Sequence, residues 1–291
     1  MRWLLLLSCV MLAACAQKDD EAAVVLYDEG FALSVALDTT DGITSPDGLL
    51  WREGVLYIAD EGGSALRRWD GDRLLTLADA SSGIASPEDL RFDAEGTLWF
   101  TDDTAGGVWR VTDSGAERAD LPGDIGESEG LAVDPSGGVD VGDGANGRVF
   151  HVTAAGEVEA YGGRRWGIAK PESMVRAPDG SLLVADNREN RLGRIGTDGN
   201  MREIALPADL SPESIALDGD SLWITDSHNG RLYRMMRDRP PETVALFLGD
   251  FENINGIAVA PGGILYISVQ SDLAVGEGYV LRLAPRGKEA R

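Results

Sequence analysis

Five carboxylates and one amide recur along this chain at a nearly constant interval: Asp47, Glu88, Glu129, Glu172, Glu213 and Asn255. The steps between them are 41, 41, 43, 41 and 42 residues. Most stand in one short phrase, as in Ser45-Pro46-Asp47-Gly48-Leu49, Ser86-Pro87-Glu88-Asp89-Leu90 and Ser211-Pro212-Glu213-Ser214-Ile215. Brought onto one axis, two such carboxylates about 5 Å apart repel by roughly 3 kcal/mol at an effective dielectric near 20. Several pairs would rival the 5–15 kcal/mol or so that holds a whole domain together. The set must therefore bind a cation, keep protons, or splay onto arginines and backbone N–H groups. All-oxygen donors without His or Cys select a hard ion, and a flexible multi-carboxylate set suits Ca²⁺ better than Mg²⁺. The competing reading gives each acid a local task, bonding the start of the next repeat and setting its register.

The elements that must position these residues follow from the period. Units of about 40–45 residues holding several short strands are the signature of propeller blades. After each ring residue comes an apolar strand, a turn with Asp or Gly, and a second strand such as Thr97-Leu98-Trp99-Phe100 or Ser221-Leu222-Trp223-Ile224. That strand ends at Asp60, Asp102, Asp143, Asp186 or Asp226, with Ser268 read as the sixth equivalent. Asn146-Gly147, Glu189-Asn190 and Asn229-Gly230 then have hairpin chemistry, where positive φ is accepted. The recurring eight-residue step from Asp to Arg (60/68, 102/110, 186/194, 226/234) reads as a hairpin lock. After Asn255 only three strands remain, and Phe31–Leu37 stands where a fourth is needed. The expectation is an all-β, six-bladed propeller over residues 24–291, its N-terminal strand closing the last blade and removing a sheet edge.

The chain of 291 residues carries 26 Lys and Arg against 49 Asp and Glu, a formal charge of −23. That balance excludes nucleic acid, whose phosphates demand cations, and binding of an anionic leaflet through the protein surface. Residues 1–14 read as a secretory signal, with Arg2 followed by an apolar stretch too short to span a bilayer. It ends in Leu12-Ala13-Ala14-Cys15, which resembles the lipobox of bacterial lipoproteins. The resemblance implies a lipidated Cys15, a polar tether over 15–23, and a periplasm-facing place in the cell envelope, at the outer membrane because Ala16 follows the Cys. The only other cysteine is Cys9, within the signal, so the folded domain has neither disulfide nor soft metal ligand.

Ser45-Pro46-Asp47-Gly48-Leu49-Leu50-Trp51, Val55-Leu56-Tyr57-Ile58-Ala59-Asp60 and Leu66-Arg67-Arg68-Trp69-Asp70 together resemble the first blade of the gluconolactonase and senescence-marker-protein family. The Pro-Glu starts are also similar to strictosidine-synthase-like propellers, and the Asp-x-x-Asn-Gly-Arg turns at 143–148 and 226–231 to NHL repeats. The first resemblance implies a divalent ion held by residues before the inner strands of blades one, four and five, here Asp47, Glu172 and Glu213. It also implies that Glu213 takes a proton from attacking water.

Three further features belong to the ring's mouth. Arg164, Arg165 and Trp166 lead through Lys170 into Glu172, a basic and aromatic stretch that either neutralises the ring or pairs with an anionic substrate group. His228 lies in a top-face turn as a candidate substrate contact, whereas His151 takes a place where other blades carry Arg68, Arg110, Arg194, Arg234 and Arg282. An insertion over 270–278 is long enough to form a lid. Two functional classes stay open, each on a monomer. One is a Ca²⁺-dependent (or other divalent-cation) hydrolase of lactones or esters. The other is a non-catalytic, envelope-anchored propeller that binds a small ligand or an envelope protein.

Overall fold

The computed structural model describes residues 9–10, 23–119, 125–134, 137–153, 157–162, 166–237, 239–270 and 277–287. They form six antiparallel sheets around one axis. Blade 1 runs Pro46–Arg52, Val55–Asp60, Ala65–Trp69, Leu74–Ala78. Blade 2 is Pro87–Phe92, Leu98–Asp102, Val108–Thr112, Gly115–Arg118, and blade 3 is Ser128–Val133, Gly138–Asp143, Arg148–Thr153, Val158–Gly162. Blade 4 comprises Pro171–Arg176, Leu182–Asp186, Arg191–Ile195, Met201–Ile204. Blade 5 holds Ile215–Asp218, Ser221–Asp226, Arg231–Met236, Glu242–Leu248. Blade 6 has Ile254–Ala260, Ile264–Val269 and Tyr279–Pro285 from the C-terminal end, and its outer strand is Phe31–Leu37, as expected. Ala23–Leu26 adds a further strand outside blade 5 and takes Cys9–Val10 at its own edge. Cys15 and the remainder of the leader lie outside the described residues.

The innermost strands pack on one another around the full ring, with Ile254–Ala260 against Pro46–Arg52 at the closure. They approach so closely that a side chain has no room directly after some ring residues. A Cβ at Gly48 would meet the Glu88 carbonyl oxygen at 2.0 Å, and one at Gly256 would meet that of Asp47 at 2.2 Å. Apolar clusters fill the wedges between blades. Between blades 6 and 1, Leu37, Ile43, Leu49, Leu56, Ile58 and Val280 are all nearly inaccessible, and each contributes about 1.5–3 kcal/mol. Trp51 stacks on Tyr266 across the same wedge, ring centroids 5.3 Å apart.

The strand-end aspartates act as clasps. Asp60 Oδ1 accepts from Thr44 N (3.1 Å) and Ser45 N (3.0 Å), Asp102 from Ala85 N and Ser86 N, and Asp186 from Ala169 N and Lys170 N. Each clasp fixes the two residues before the inner strand and thereby aims the ring residue. The arginine partners differ from the expected eight-residue step: Asp60 pairs with Arg67, Asp143 with Arg148 and Asp186 with Arg191. The hairpins are tighter than that step assumes, so Arg194 turns instead to Asp179, Arg110 to Glu117 and Arg234 to Asp28. Ser268 is also one position off. Val269 pairs with Ile254 as Asp60 pairs with Pro46, so blade 6 has no clasp. Ser268 Oγ instead donates to the Asp47 carbonyl across the closure, 2.6 Å. Positive φ falls at Gly147, Asn190 and Gly230, in the three hairpin turns expected from sequence.

Candidate functional site

All six ring residues converge on one cavity of about 220 Å³ at the top of the axis. The strand register explains this: each stands at the mouth of an inner strand, which the Asp60, Asp102 and Asp186 clasps hold in blades 1, 2 and 4, so its side chain projects toward the axis. A second column joins them, one residue past the strand end, of which Glu61, Asp103 and Gln270 also line the cavity. Asn187 and Ser227 occupy the same place in blades 4 and 5 and bond to ring acids. The sequence reading passed over this column. Its signal was the regular recurrence of polar residues directly after the clasp aspartates.

The cavity is divided electrostatically. On the side of blades 1 and 2, one ligand oxygen each from Asp47, Glu61 and Glu88 lies within 4.8 Å of the others. Gln270 Nε2 sits among them, donating to Asp47 Oδ2 (2.8 Å) and Glu61 Oε2 (2.6 Å). Burial, then the charge of Glu213, pushes the Asp47 carboxyl well above its ordinary range. Burial, then the charges of Asp47 and Glu61, does the same to Glu88. On the side of blades 3 and 4, Lys170 Nζ lies 2.6 Å from Glu172 Oε1 and 3.2 Å from Glu129 Oε1. Burial raises both acids, against the pull of Lys170. Burial alone would lower the Lys170 ammonium, but Glu172 and Glu129 outweigh it and hold the lysine charged. Glu213 stands apart. Its Oε2 accepts from Ser227 Oγ (2.7 Å) and Asn187 Nδ2 (3.3 Å).

The remaining candidates fall elsewhere. Trp166 packs on the cluster around Ile168 and Met174 and does not line the cavity; its backbone carbonyl accepts from Arg191. Arg164 and Arg165 lie outside the described residues, as do residues 271–276 of the insertion. Among the described residues of the basic stretch, Lys170 reaches the ring. His228 is exposed in its turn, away from the cavity lining. His151 pairs in register with Asp140, as Arg68 does with Tyr57, and its Nδ1 lies 2.9 Å from Asp140 Oδ1. Asp134, Asp140 and His151 have ligand atoms close enough for a metal, but the Arg176 guanidinium already bonds both aspartates.

The donor set suits a hard cation: three carboxylates converge with an amide in hydrogen-bonding reach, and no softer atom lines the cavity. The same geometry can hold and move protons, through the Asp47–Glu88 pair and through Glu213.

Comparison with known proteins puts the fold in context. A virginiamycin B lyase of Nocardia farcinica (strain IFM 10152) is 29% identical over 199 residues, 57% of this chain and 70% of that protein. A catalytically inactive histidine-to-alanine variant of virginiamycin B lyase from Staphylococcus aureus, solved with quinupristin, superposes with a TM-score of 0.66 at 18% identity, covering 87% of this chain and 99% of that one. Regucalcin from Agrobacterium tumefaciens str. C58, described as a calcium-binding protein, superposes at 0.65 and 18% identity over 88% and 96%. The gluconolactonase-type resemblance is thus one of shared six-bladed architecture. The Virginiamycin B lyase family model matches residues 34–247, from the closing strand through blade 5, and the chain belongs to that family.

Proposed function

We propose that this propeller is a divalent-cation-dependent hydrolase of small esters or lactones, with Asp47, Glu61 and Glu88 holding the cation and Glu213 as general base. One observation carries the reading: three converging carboxylate oxygens and an acceptor-locked carboxylate share one cavity. A hard cation bound there supplies Lewis acidity to a substrate carbonyl. Ser227 and Asn187 donate to Glu213 and fix its orientation as the group that takes a proton from water. The regucalcin-like fold supports Ca²⁺ as the ion.

The family name favours elimination, which needs no water. Two features favour hydrolysis of a compact substrate instead. The staphylococcal lyase depends on a histidine, whereas none of the residues lining this cavity is one. At about 220 Å³ the cavity also lies below the usual 300–1,000 Å³ of sites for drug-sized ligands.

Turnover of a lactone and ester panel in ¹⁸O-labelled water tests this. The expected result is Ca²⁺-dependent product carrying one label, with kcat lowered roughly 100- to 10,000-fold by Glu213→Gln. Unlabelled product would replace hydrolysis by elimination. A protein that binds Ca²⁺ but turns over nothing would belong with the ligand-binding propellers.

A further inference from the structure

Lys170 breaks the symmetry of the ring at one position in six. Two residues before each ring residue the chain carries Ser45, Ser86, Glu127, Lys170, Ser211 and Asn253, so only blade 4 offers a cation there. The lysine backbone is fixed by its clasp, its N–H donating to Asp186 Oδ1 at 2.9 Å. From that point Nζ reaches both Glu172 and Glu129, whose side chains are each 7% exposed. The Asn187 amide completes the enclosure, donating to the same Glu172 oxygen at 2.6 Å.

Blades 1 and 2 present the opposite case. There Asp47, Glu61 and Glu88 converge on the neutral Gln270 amide, which bonds two of them but cancels no charge. The two halves of the ring therefore hold comparable acids with unequal compensation.

We infer that Lys170 is a built-in cation that fills the blade 3–4 half of the ring, so that the propeller takes a single divalent ion, on the Asp47–Glu61–Glu88 side. The inference rests on the cation reading proposed above and adds where the ion sits, how many bind, and why. An ammonium carried by the chain cannot be chelated or exchanged, so one half of the ring is compensated under all conditions. Lys170 touches no reacting atom and is a positioning residue. By occupying Glu129 and Glu172 it leaves one place for the ion, beside Glu213.

Calcium titration of the purified protein, by calorimetry and by Tb³⁺ luminescence, separates the alternatives through stoichiometry. The wild type should bind one ion. Lys170→Gln frees Glu129 and Glu172 and should bind a second ion, whereas Lys170→Arg keeps the charge and should bind one. In the wild-type background Glu88→Gln should weaken the single site at least tenfold. Two ions in the wild type, one ion at wild-type affinity in Lys170→Gln, or undiminished affinity in Glu88→Gln would each overturn the inference. The Glu88→Gln result decides the matter even if Lys170→Gln fails to fold. No binding by the folded wild type would instead overturn the proposed function.

Discussion

Replacing Glu88 by Gln should stabilise the cation-free protein and shrink its gain from Ca²⁺, with a pH dependence set by the cavity. Three carboxylate oxygens within 4.8 Å repel by about 3–4 kcal/mol per pair at an effective dielectric of 20. Glu88 faces two of them, but it can escape by keeping a proton. Holding that proton at pH 7, against an ordinary value of 4.5, costs at most about 3 kcal/mol at 1.36 kcal/mol per unit. Glu88 lies among protein atoms yet keeps some contact with cavity water, so about 2 kcal/mol is a fair expectation. Its folded-state pKa is raised, so its contribution is fully present below about pH 4.5 and is lost as pH rises toward the elevated value. Gln mimics the protonated acid and avoids that loss. In EDTA, the variant should thus match wild type near pH 4.5 and melt roughly 4–8 °C higher at pH 7, at 2–4 °C per kcal/mol for a domain near this size. With Ca²⁺ at 100 times the wild-type dissociation constant, wild type gains about 2.7 kcal/mol and a variant weakened tenfold about 1.4 kcal/mol, so the variant's lead narrows. Differential scanning calorimetry over pH 4.5–8, with and without Ca²⁺, reads both effects. A difference independent of pH, or one that Ca²⁺ leaves unchanged, would refute the electrostatic account of the ring.

The clasp, the closure and the anchor give independent tests. Asp60 is fully buried, and Asp60→Ala strands Arg67 and two backbone N–H groups; chemical denaturation should show a loss of about 3–5 kcal/mol. Deleting residues 24–37 removes buried Val24, Leu26, Phe31 and Leu37 and should cost about 6–12 kcal/mol, leaving no cooperative melt; an unchanged melting temperature would contradict the closure. If Cys15 carries lipid, Cys15→Ser should move the protein from the membrane fraction to the soluble one, and unchanged fractionation would dismiss the anchor.

The ring column was legible in the sequence because a propeller repeats one local solution six times, so residues at one phase of the repeat take equivalent places, and those just before the inner strands face the axis. Where the repeat is imperfect, phase alone misleads. Blade 6 lacks the clasp aspartate, so Ser268 was taken for its equivalent although Val269 occupies that register. The Asp-to-Arg step was periodic in sequence, yet pairing is decided by hairpin tightness, which joins Asp186 to Arg191 rather than Arg194. Glu61 went unnoticed because it sits in a turn, where acids are ordinarily solvated. Only the convergence of blades 1, 2 and 6 makes it a neighbour of Asp47, through Gln270. Lys170 was visible as the one basic residue leading into a ring acid. That it serves two blades at once depends on the close approach of their inner strands.

Closure of blade 6 by the N-terminal strand also sets the order in which the chain can fold. Arg286 Nε donates to the Phe31 carbonyl across 255 positions of sequence, and the two strands pair along most of their length. During synthesis Phe31–Leu37 is made before blades 1 to 5, and its partner Tyr279–Pro285 after them. Blades 1 to 5 can each form as they appear, because their strands are contiguous in sequence, but the ring cannot close until Tyr279–Pro285 arrives. Acids of neighbouring blades, such as Asp47 and Glu88, already meet as blades 1 and 2 pack together. Gln270 reaches Asp47 and Glu61 only when blade 6 is complete, so the amide that bridges them arrives at closure. Pairings this distant in sequence fold slowly, so truncation at the C-terminus should trap an open arc with Phe31–Leu37 unpaired and prone to pairing with another chain.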